Sequence, residues 1–387
     1  MKTILKGHIV TPHKVLPDHL LIMEEGHITE IKACRNDFPD SYIDTQGSYI
    51  LPGLIDVHSD YIEQIAAPRP SSVMDFSIAL KEAERNLIGQ GITTMYHSLS
   101  FYQSWKFDDK VIRQASHTRR FVELIDRLRR KNSLIRHRFH ARFEIDSLDR
   151  VEELEDYIKS DMVHLLSFMD HTPGQGQYRN LEVYKKFIKG YRKLSEEEAD
   201  EVIKRTQTAQ KLPITAIQEL AQLAISRGVP VASHDDDTID KLHLNKELSL
   251  NISEFPITME VAKEARRLGF YTVAGAPNIL LGGSHSGNLS AAEAILEGAI
   301  DTLCSDYYPA AMIHCIFKLH DDYGLSLPEA LNLVSLNPAK AVGLEDRLGS
   351  LEAGKEADVL VLHLNDEKLP LITSVYVQGQ LKYQTHY

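Results

Sequence analysis

A chain of 387 residues can bury a sizeable core and hold a barrel together with a smaller domain. Its composition, 43% hydrophobic and 25% charged, is ordinary for a globular protein, and a formal net charge of −12 argues against broad, sequence-independent nucleic-acid binding. Three widely spaced cysteines, Cys34, Cys304 and Cys315, form no CxxC pair, so they read as reduced thiols at a cytoplasmic address and not as a disulfide framework. The acidic balance still admits a small anionic substrate, because metals and a few local cations reverse the potential inside one cleft. The opening MKTILKGHIVTPHK has no apolar signal core, and no window approaches about 18 uninterrupted apolar residues, so no membrane partner is expected.

Residues 1–50 read as short strands and turns, ILKGHIVT, HLLIMEEGHITEIKA and IDTQGSYILP, and the turn Glu24-Glu25-Gly26-His27 predicts a hairpin. The same texture returns in LGSLEAGKEADVLVLHLN and ITSVYVQGQLKYQ, so 1–50 and 346–387 are expected to form one small β-sandwich domain. Between them, over 51–345, strand-like runs fall near 54–60, 92–98, 137–144, 163–171, 229–235, 249–255, 270–276 and 300–306. Helical patterns such as FSIALKEAERNLIGQG and TMEVAKEARRLG separate most of them, and several end in Gly before an apolar strand. Eight alternating strands predict an α/β fold, a TIM-like β/α barrel, over an open sheet. One insertion breaks the rhythm. After His171 the segment PGQGQYRNLEVYKKFIKGYRKLSEEEADEV delays the next helix, and Arg179, Lys185, Lys186, Lys189, Arg192 and Lys193 outweigh Glu182 in its first half. Following a strand C-terminus, it belongs over the active-site mouth, either as an exposed amphipathic helix or as a cationic lid for a polyanion.

His58, Asp60, Glu144, His171, His234 and Asp306 stand at or just past strand ends in LPGLIDVHSD, RFHARFEI, HLLSFMDH, VPVASHDD and IDTLCSDYY. Barrel active sites are built from those ends. Side chains two apart on a strand point the same way, so His58 and Asp60 can grip one ion. Each residue has a plainer use: a lone His is often structural, Asp306 can cap a helix, and Glu144 can pair with Arg142. Together they predict a site for two divalent ions, with donors that suit Zn, Mn or Fe. Candidates for substrate phosphates are Arg69, Arg142, Arg179 and the GGSHSGN segment with Ser284, His285 and Asn288, which is either an anion nest or a tight turn. Asp235, Asp236 and Asp237 read as supports for a ligand or as a solvated loop. His137, His140, His243, His314 and His320 read as structural or exposed.

PGLIDVHSD, the bridging acid, two later His, the late Asp and the closing LGSLEAGKEADVLVL together resemble the amidohydrolase superfamily. The resemblance implies a β/α barrel with a β-sandwich from both termini and a metal-dependent hydrolase. Asp60 departs from the usual His-x-His, and His171 and His234 fall one strand earlier than is common there. PRPSSVMDFS, GITTMYHSLS, FHARFEI, MDHTPGQGQY, SHDDDT, ISEFPIT, GAPNILLGGSHSGNLSA and CSDYYPAAM are similar to the PhnM branch, from the carbon–phosphorus lyase pathway. His97 stands where that branch's GITT motif is expected to carry Asp. The similarity implies hydrolysis of α-D-ribose 1-methylphosphonate 5-triphosphate to the 5-phosphate and pyrophosphate, by a metal-bridging hydroxide attacking the α-phosphorus. In that scheme Glu144 bridges the ions, Asp306 orients and deprotonates the nucleophile, and a homo-oligomer acts on a small phosphorylated sugar. The alternatives are a cyclic amidase or deacetylase of the same superfamily, or a barrel kept as a non-catalytic scaffold.

Overall fold

The computed structural model describes residues 2–34, 41–69, 72–103, 111–178, 180–192, 194–283 and 289–386. Its strands are β1 (Lys2–Val10), β2 (Val15–Glu24), β3 (His27–Ala33), β4 (Ile43–Pro52), β5 (Leu54–Ser59), β6 (Ile92–Phe101), β7 (Arg136–Glu144), β8 (Leu165–Met169), β9 (Val231–His234), β10 (Ile252–Glu254), β11 (Tyr271–Gly275), β12 (Thr302–Cys304), β13 (Val359–Leu364), β14 (Pro370–Val377) and β15 (Gln380–Gln384). The helices used below are α1 (Tyr61–Ala66), α2 (Phe76–Gly89), α3 (Leu181–Arg192), α4 (Glu196–Gln207) and α5 (Leu336–Ala341).

Strands β5 to β12 lie side by side in chain order as one eight-stranded parallel sheet. A parallel bridge between Ser59 and Asp306 joins its two edges, reinforced by main-chain bonds from Asp60 N to Asp306 O and from Asp306 N to His58 O. The result is a β/α barrel, and each of its strands falls on one of the eight runs expected from the sequence. They were readable because short β-rich runs recur between helical patterns, and both faces of each parallel strand are covered; all ten residues of β6 are buried, polar ones such as His97 and Ser98 included. Outward side chains such as Met95, Leu99, Phe101, Phe139 and Phe143 pack with Phe76, Leu80, Ala83 and Leu87 of α2. A second cluster, with Ile55, Val57, Tyr96, Leu165, Ala232, Ile252, Val273 and Cys304, fills the interior and meets Ala339 and Ala341 of α5. Asn337 and the Ala341 carbonyl bond to residues just before β12 and β10, so α5 covers the N-terminal ends of the strands. The open mouth is therefore at the C-terminal ends, where the polar side chains gather.

The two termini form a single seven-stranded sheet in the order β15-β14-β13-β4-β1-β2-β3, with the expected hairpin pairing Glu24 to His27. It runs to Pro52, two residues past the predicted boundary, and resumes only at Val359, because LGSLEAGKEAD is turns and loop. Along β13, Val359 and Val361 enter the terminal core while Leu360 and Leu362 join the barrel core, so one strand belongs to both. Gly91 marks the seam. It sits at φ +82°, and a Cβ there would come within 2.8 Å of Leu360 and Ile372 side chains. No described helix is long and apolar enough to cross a membrane.

The insertion after His171 is a helical hairpin, α3 and α4, with its own small core of Tyr184, Ile188, Ala199 and Ile203. Ser195 opens α4 with a capping box to Glu198. Lys185 lies 2.8 Å from Glu196 and 2.7 Å from Asp200, and Lys189 also pairs with Glu196. Part of the positive charge expected to face a polyanion is thus met by the acidic neighbouring helix.

Candidate metal centre

At the end of β5 the expected alternation gives way. Asp56 pairs with Met95 but Ser59 pairs with His97, so the register slips between them. Asp60 then lies beyond the strand, opening α1 at φ −86°. His58 and Asp60 consequently part company. His58 turns into the barrel, with Nδ1 3.0 Å from Glu254 Oε1. Asp60 takes the Arg142 guanidinium at 2.6 Å and Arg113 at 3.5 Å. Arg113 is itself held by Glu63 at 2.8 Å and by the Tyr102 hydroxyl at 3.1 Å.

A second group forms over β7 to β9. Glu144 ends β7 and accepts from His171 Nδ1 and, at 3.3 Å, from the His171 main-chain N–H. His171 Nε2 stands 3.5 Å from Asp235 Oδ2, and His234 Nδ1 stands 3.1 Å from the same oxygen. Asp235 follows β9 at φ +53° and Asp306 lies just past β12 at φ +57°, left-handed conformations that Asp adopts more readily than most non-glycine residues. The ring of His234 is 5.4 Å from that of His58 and 5.5 Å from that of His171, so three imidazoles span the mouth. Arg142 reaches to 3.5 Å from His234 Nε2.

Electrostatics follow from this packing. Burial disfavours charge on His171, but Glu144 and Asp235 outweigh it and raise its pKa to about 9. Burial likewise opposes the Asp235 carboxylate, yet His234 and His171 hold it well below the usual range. Burial and then the nearby Asp60 push Asp306 up to about 7, against the pull of Arg142.

The structure brings Glu144, His171 and His234 together, sets His58 beside them, and holds Asp60 and Asp306 at the rim where β5 meets β12. Arg142 enters this site; Arg69 is exposed between α1 and α2 and, among the described residues, joins none of these groups. Arg179, Ser284, His285 and Asn288 lie outside the described residues. Sequence reasoning overlooked Glu254, Arg113 and the inward role of His140. Glu254 carried the same mark as Glu144, a carboxylate ending an apolar run, and that mark was sufficient to find it.

The donors fit a divalent ion. His171, His234 and Asp235 each offer a ligand atom, all within 4.8 Å of one another. His234 Nδ1 and Asp235 Oδ2 are buried and face each other at 3.1 Å without forming a well-directed hydrogen bond, an arrangement that a shared cation would satisfy. Imidazole with carboxylate is the set that Zn²⁺, Mn²⁺ or Fe²⁺ favours.

Comparison with known proteins agrees with this geometry. The model of the amidohydrolase family matches residues 49–382. The Escherichia coli (strain K12) alpha-D-ribose 1-methylphosphonate 5-triphosphate diphosphatase is 31% identical over 384 residues, covering 98% of each chain. Bovine N-acetylglucosamine-6-phosphate deacetylase is 30% identical over 135 residues, 33% of this chain and 32% of that one. Among solved structures, the N-acetylglucosamine-6-phosphate deacetylase of Pasteurella multocida superposes with a TM-score of 0.64 at 13% identity, covering 98% and 99% of the chains. A D-hydantoinase superposes at 0.60 and 14%, covering 98% and 95%. At those identities the structures speak for the fold alone. With a barrel of this order, an interior cluster of metal-type donors and a family match across most of its length, the chain belongs to the amidohydrolase family and is a metal-dependent hydrolase.

Proposed function

We propose that this hydrolase cleaves the 5-triphosphate of α-D-ribose 1-methylphosphonate, releasing pyrophosphate and leaving the 5-phosphate, in phosphonate catabolism. The observation that carries the reading is likeness to the E. coli diphosphatase along 98% of both chains, which takes in every strand end of the mouth. We assign His171, His234, Asp235 and Glu144 to one divalent ion, and interior His58, with Asp60 and Asp306 from the rim above it, to a second; Zn, Mn or Fe suits both. When bound, such ions polarise a phosphoryl oxygen and lower the pKa of water toward about 7.

The chain's own groups supply the rest. Asp306, a half-buried carboxylate at the rim, is suited to accept the proton of an attacking water. Arg142, and Arg113 behind it, present fixed positive charge to a triphosphate. Asp60 neutralises Arg142 in this structure, so a turn of Asp60 toward a cation would free that guanidinium for substrate oxygens. The buried walls and the Tyr178 ring, 5.8 Å from the His171 imidazole just before the hairpin, would limit the access of bulk water. A homo-oligomer in the cytoplasm, without nucleic acid or membrane partners, completes the proposal.

The test is incubation with the ribose methylphosphonate triphosphate, followed by ³¹P NMR. Pyrophosphate and a 5-phosphate should appear together, and water-derived ¹⁸O should enter the sugar phosphate alone. Release of orthophosphate, or label in pyrophosphate, would overturn attack at the α-phosphorus. A deacetylase reading draws on the partial likeness to the N-acetylglucosamine-6-phosphate enzymes; turnover of that amide with an inert triphosphate would favour it.

A further inference from the structure

Beneath the mouth lies a hydrogen-bonded chain that the proposed reaction does not use directly. Glu254 Oε1 meets His58 Nδ1 at 3.0 Å, and Glu254 Oε2 accepts from Ser167 Oγ at 2.6 Å. Ser167 continues to His140 Nε2, and His140 Nδ1 lies 3.1 Å from Ser98 Oγ. Ser98 in turn accepts from the Ser59 main-chain N–H at 2.9 Å, which returns the chain to β5. None of His58, Glu254, Ser167, His140 and Ser98 is more than 1% exposed.

We infer that Glu254 is a positioning residue for His58, fixing its proton on Nδ1 and turning its Nε2 toward the ion-binding mouth. The inference rests on the metal-centre assignment made above. A carboxylate accepts and does not donate, so the imidazole facing it must carry its proton there, leaving the lone pair on the opposite nitrogen. His58, His140 and Glu254 also offer ligand atoms within 4.8 Å of one another, which invites a rival reading as a buried ion site. Hydrogen bonding decides between them. Both oxygens of Glu254 and both nitrogens of His140 are engaged in well-formed hydrogen bonds, whereas His234 Nδ1 and Asp235 Oδ2 at the mouth face each other at 3.1 Å without one. Atoms already satisfied at this depth orient their neighbours, and atoms left unsatisfied await a ligand. The network also ties β5 to β6, β7, β8 and β10, so His58 is backed from four other strands at once.

The experiment measures Zn²⁺ and Mn²⁺ affinity by chelator competition, and bound equivalents by elemental analysis, on the full chain and its variants. Glu254→Ala should weaken affinity by about 10- to 100-fold while the equivalents bound at saturation stay unchanged. Glu254→Gln keeps an acceptor for Nδ1–H and should recover most of that loss at an unchanged melting temperature, which a merely structural role would not produce. Ser167→Ala should give a smaller loss, and His140→Ala should keep the full number of equivalents. Should Glu254→Ala fail to fold, Glu254→Gln and Ser167→Ala carry the test, with an intermediate affinity expected from both. Parent-like affinity in every foldable Glu254 and Ser167 variant would overturn the inference. Loss of one whole equivalent in both the Glu254 and His140 variants would show a separate buried ion and overturn it too. A parent chain that binds no divalent ion would bring down the metal-centre reading, and this inference with it.

Discussion

Glutamate and histidine meet in two quite different places in this molecule. Inside the barrel, Glu144, His171, His234 and Asp235 gather at the C-terminal strand ends. Outside it, between the barrel wall and α2, Glu84 faces His137 at 3.4 Å, and His137 Nδ1 meets His97 Nε2 at 2.9 Å. Both groups are buried, and both contain imidazole nitrogens without hydrogen-bond partners. Convergence separates them. Among the described residues, the trios of donors within 4.8 Å of one another all lie inside the barrel. Glu84 is instead bound by Lys81 at 2.7 Å and by the Leu134 amide, as a structural carboxylate would be. Residue type alone therefore does not mark a site; donors must converge and stay unmet.

The sharpest way to break the contrast is to mutate the mouth. Asp306→Asn should lower kcat by about 10²- to 10⁴-fold, the range general acid–base groups contribute, with an unchanged thermal transition. His234→Ala should lose comparable activity together with bound metal, as measured by elemental analysis. Full turnover and full metal content in both variants would dissolve the distinction between inner and outer clusters. Chelation sharpens the same point. Removing metal should abolish turnover and destabilise the chain, because the crowded carboxylates lose their counter-charge, and restoring Zn²⁺ or Mn²⁺ should reverse both.

Arg142 offers a smaller effect. Arg142→Ala should reduce kcat/KM on the triphosphate by about 10- to 100-fold, as expected for a charge-assisted hydrogen bond of about 1.5–3 kcal/mol. The loss should shrink on an analogue with fewer phosphates. Equal losses on both substrates would mean that Arg142 serves only to hold Asp60.

The contrast also explains what the sequence made legible. The eight barrel strands stood out because short β-rich runs alternate with helical patterns at a steady spacing, even where β6 and β7 carry polar side chains, and strand-end acids and histidines followed from that. Asp60 sits differently from what alternation implies, because a one-residue register slip before Ser59 carries it past the strand end and onto Arg142. Glu254 went unnoticed although its run ends as Glu144's does, and its partner His58 is 196 residues away. Arg113 acts through Glu63 and Asp60, contacts that only the closed barrel creates. His140 read as structural, and its bonds to Ser98 and Ser167 agree with that; what no local pattern reveals is that this structure backs a proposed ligand.

The outer cluster yields the smallest effect on turnover and the clearest on acid stability. Burial alone would raise the Glu84 carboxyl, but His137 at 3.4 Å and hydrogen bonds from Lys81 and the Leu134 amide outweigh it and hold its pKa at about 2, against 4.5 for the free group. The sign follows from linkage: the folded state holds the proton less tightly than the unfolded state, so Glu84 contributes stability above pH 4.5. That contribution is lost as pH falls through the window from 4.5 to about 2. Glu84→Gln should therefore lower stability at neutral pH by about 1–3 kcal/mol, the cost of disturbing hydrogen bonds to a buried charged group. Denaturant unfolding at several pH values should show the gap between parent and variant closing as the solution is acidified, while kcat at pH 7 stays within about twofold of the parent, because a sealed cluster facing α2 touches no reacting group. A gap that stays constant with pH would remove the charge from the explanation. A folded variant with collapsed turnover would show that the outer cluster reaches through β6 and β7 to the mouth.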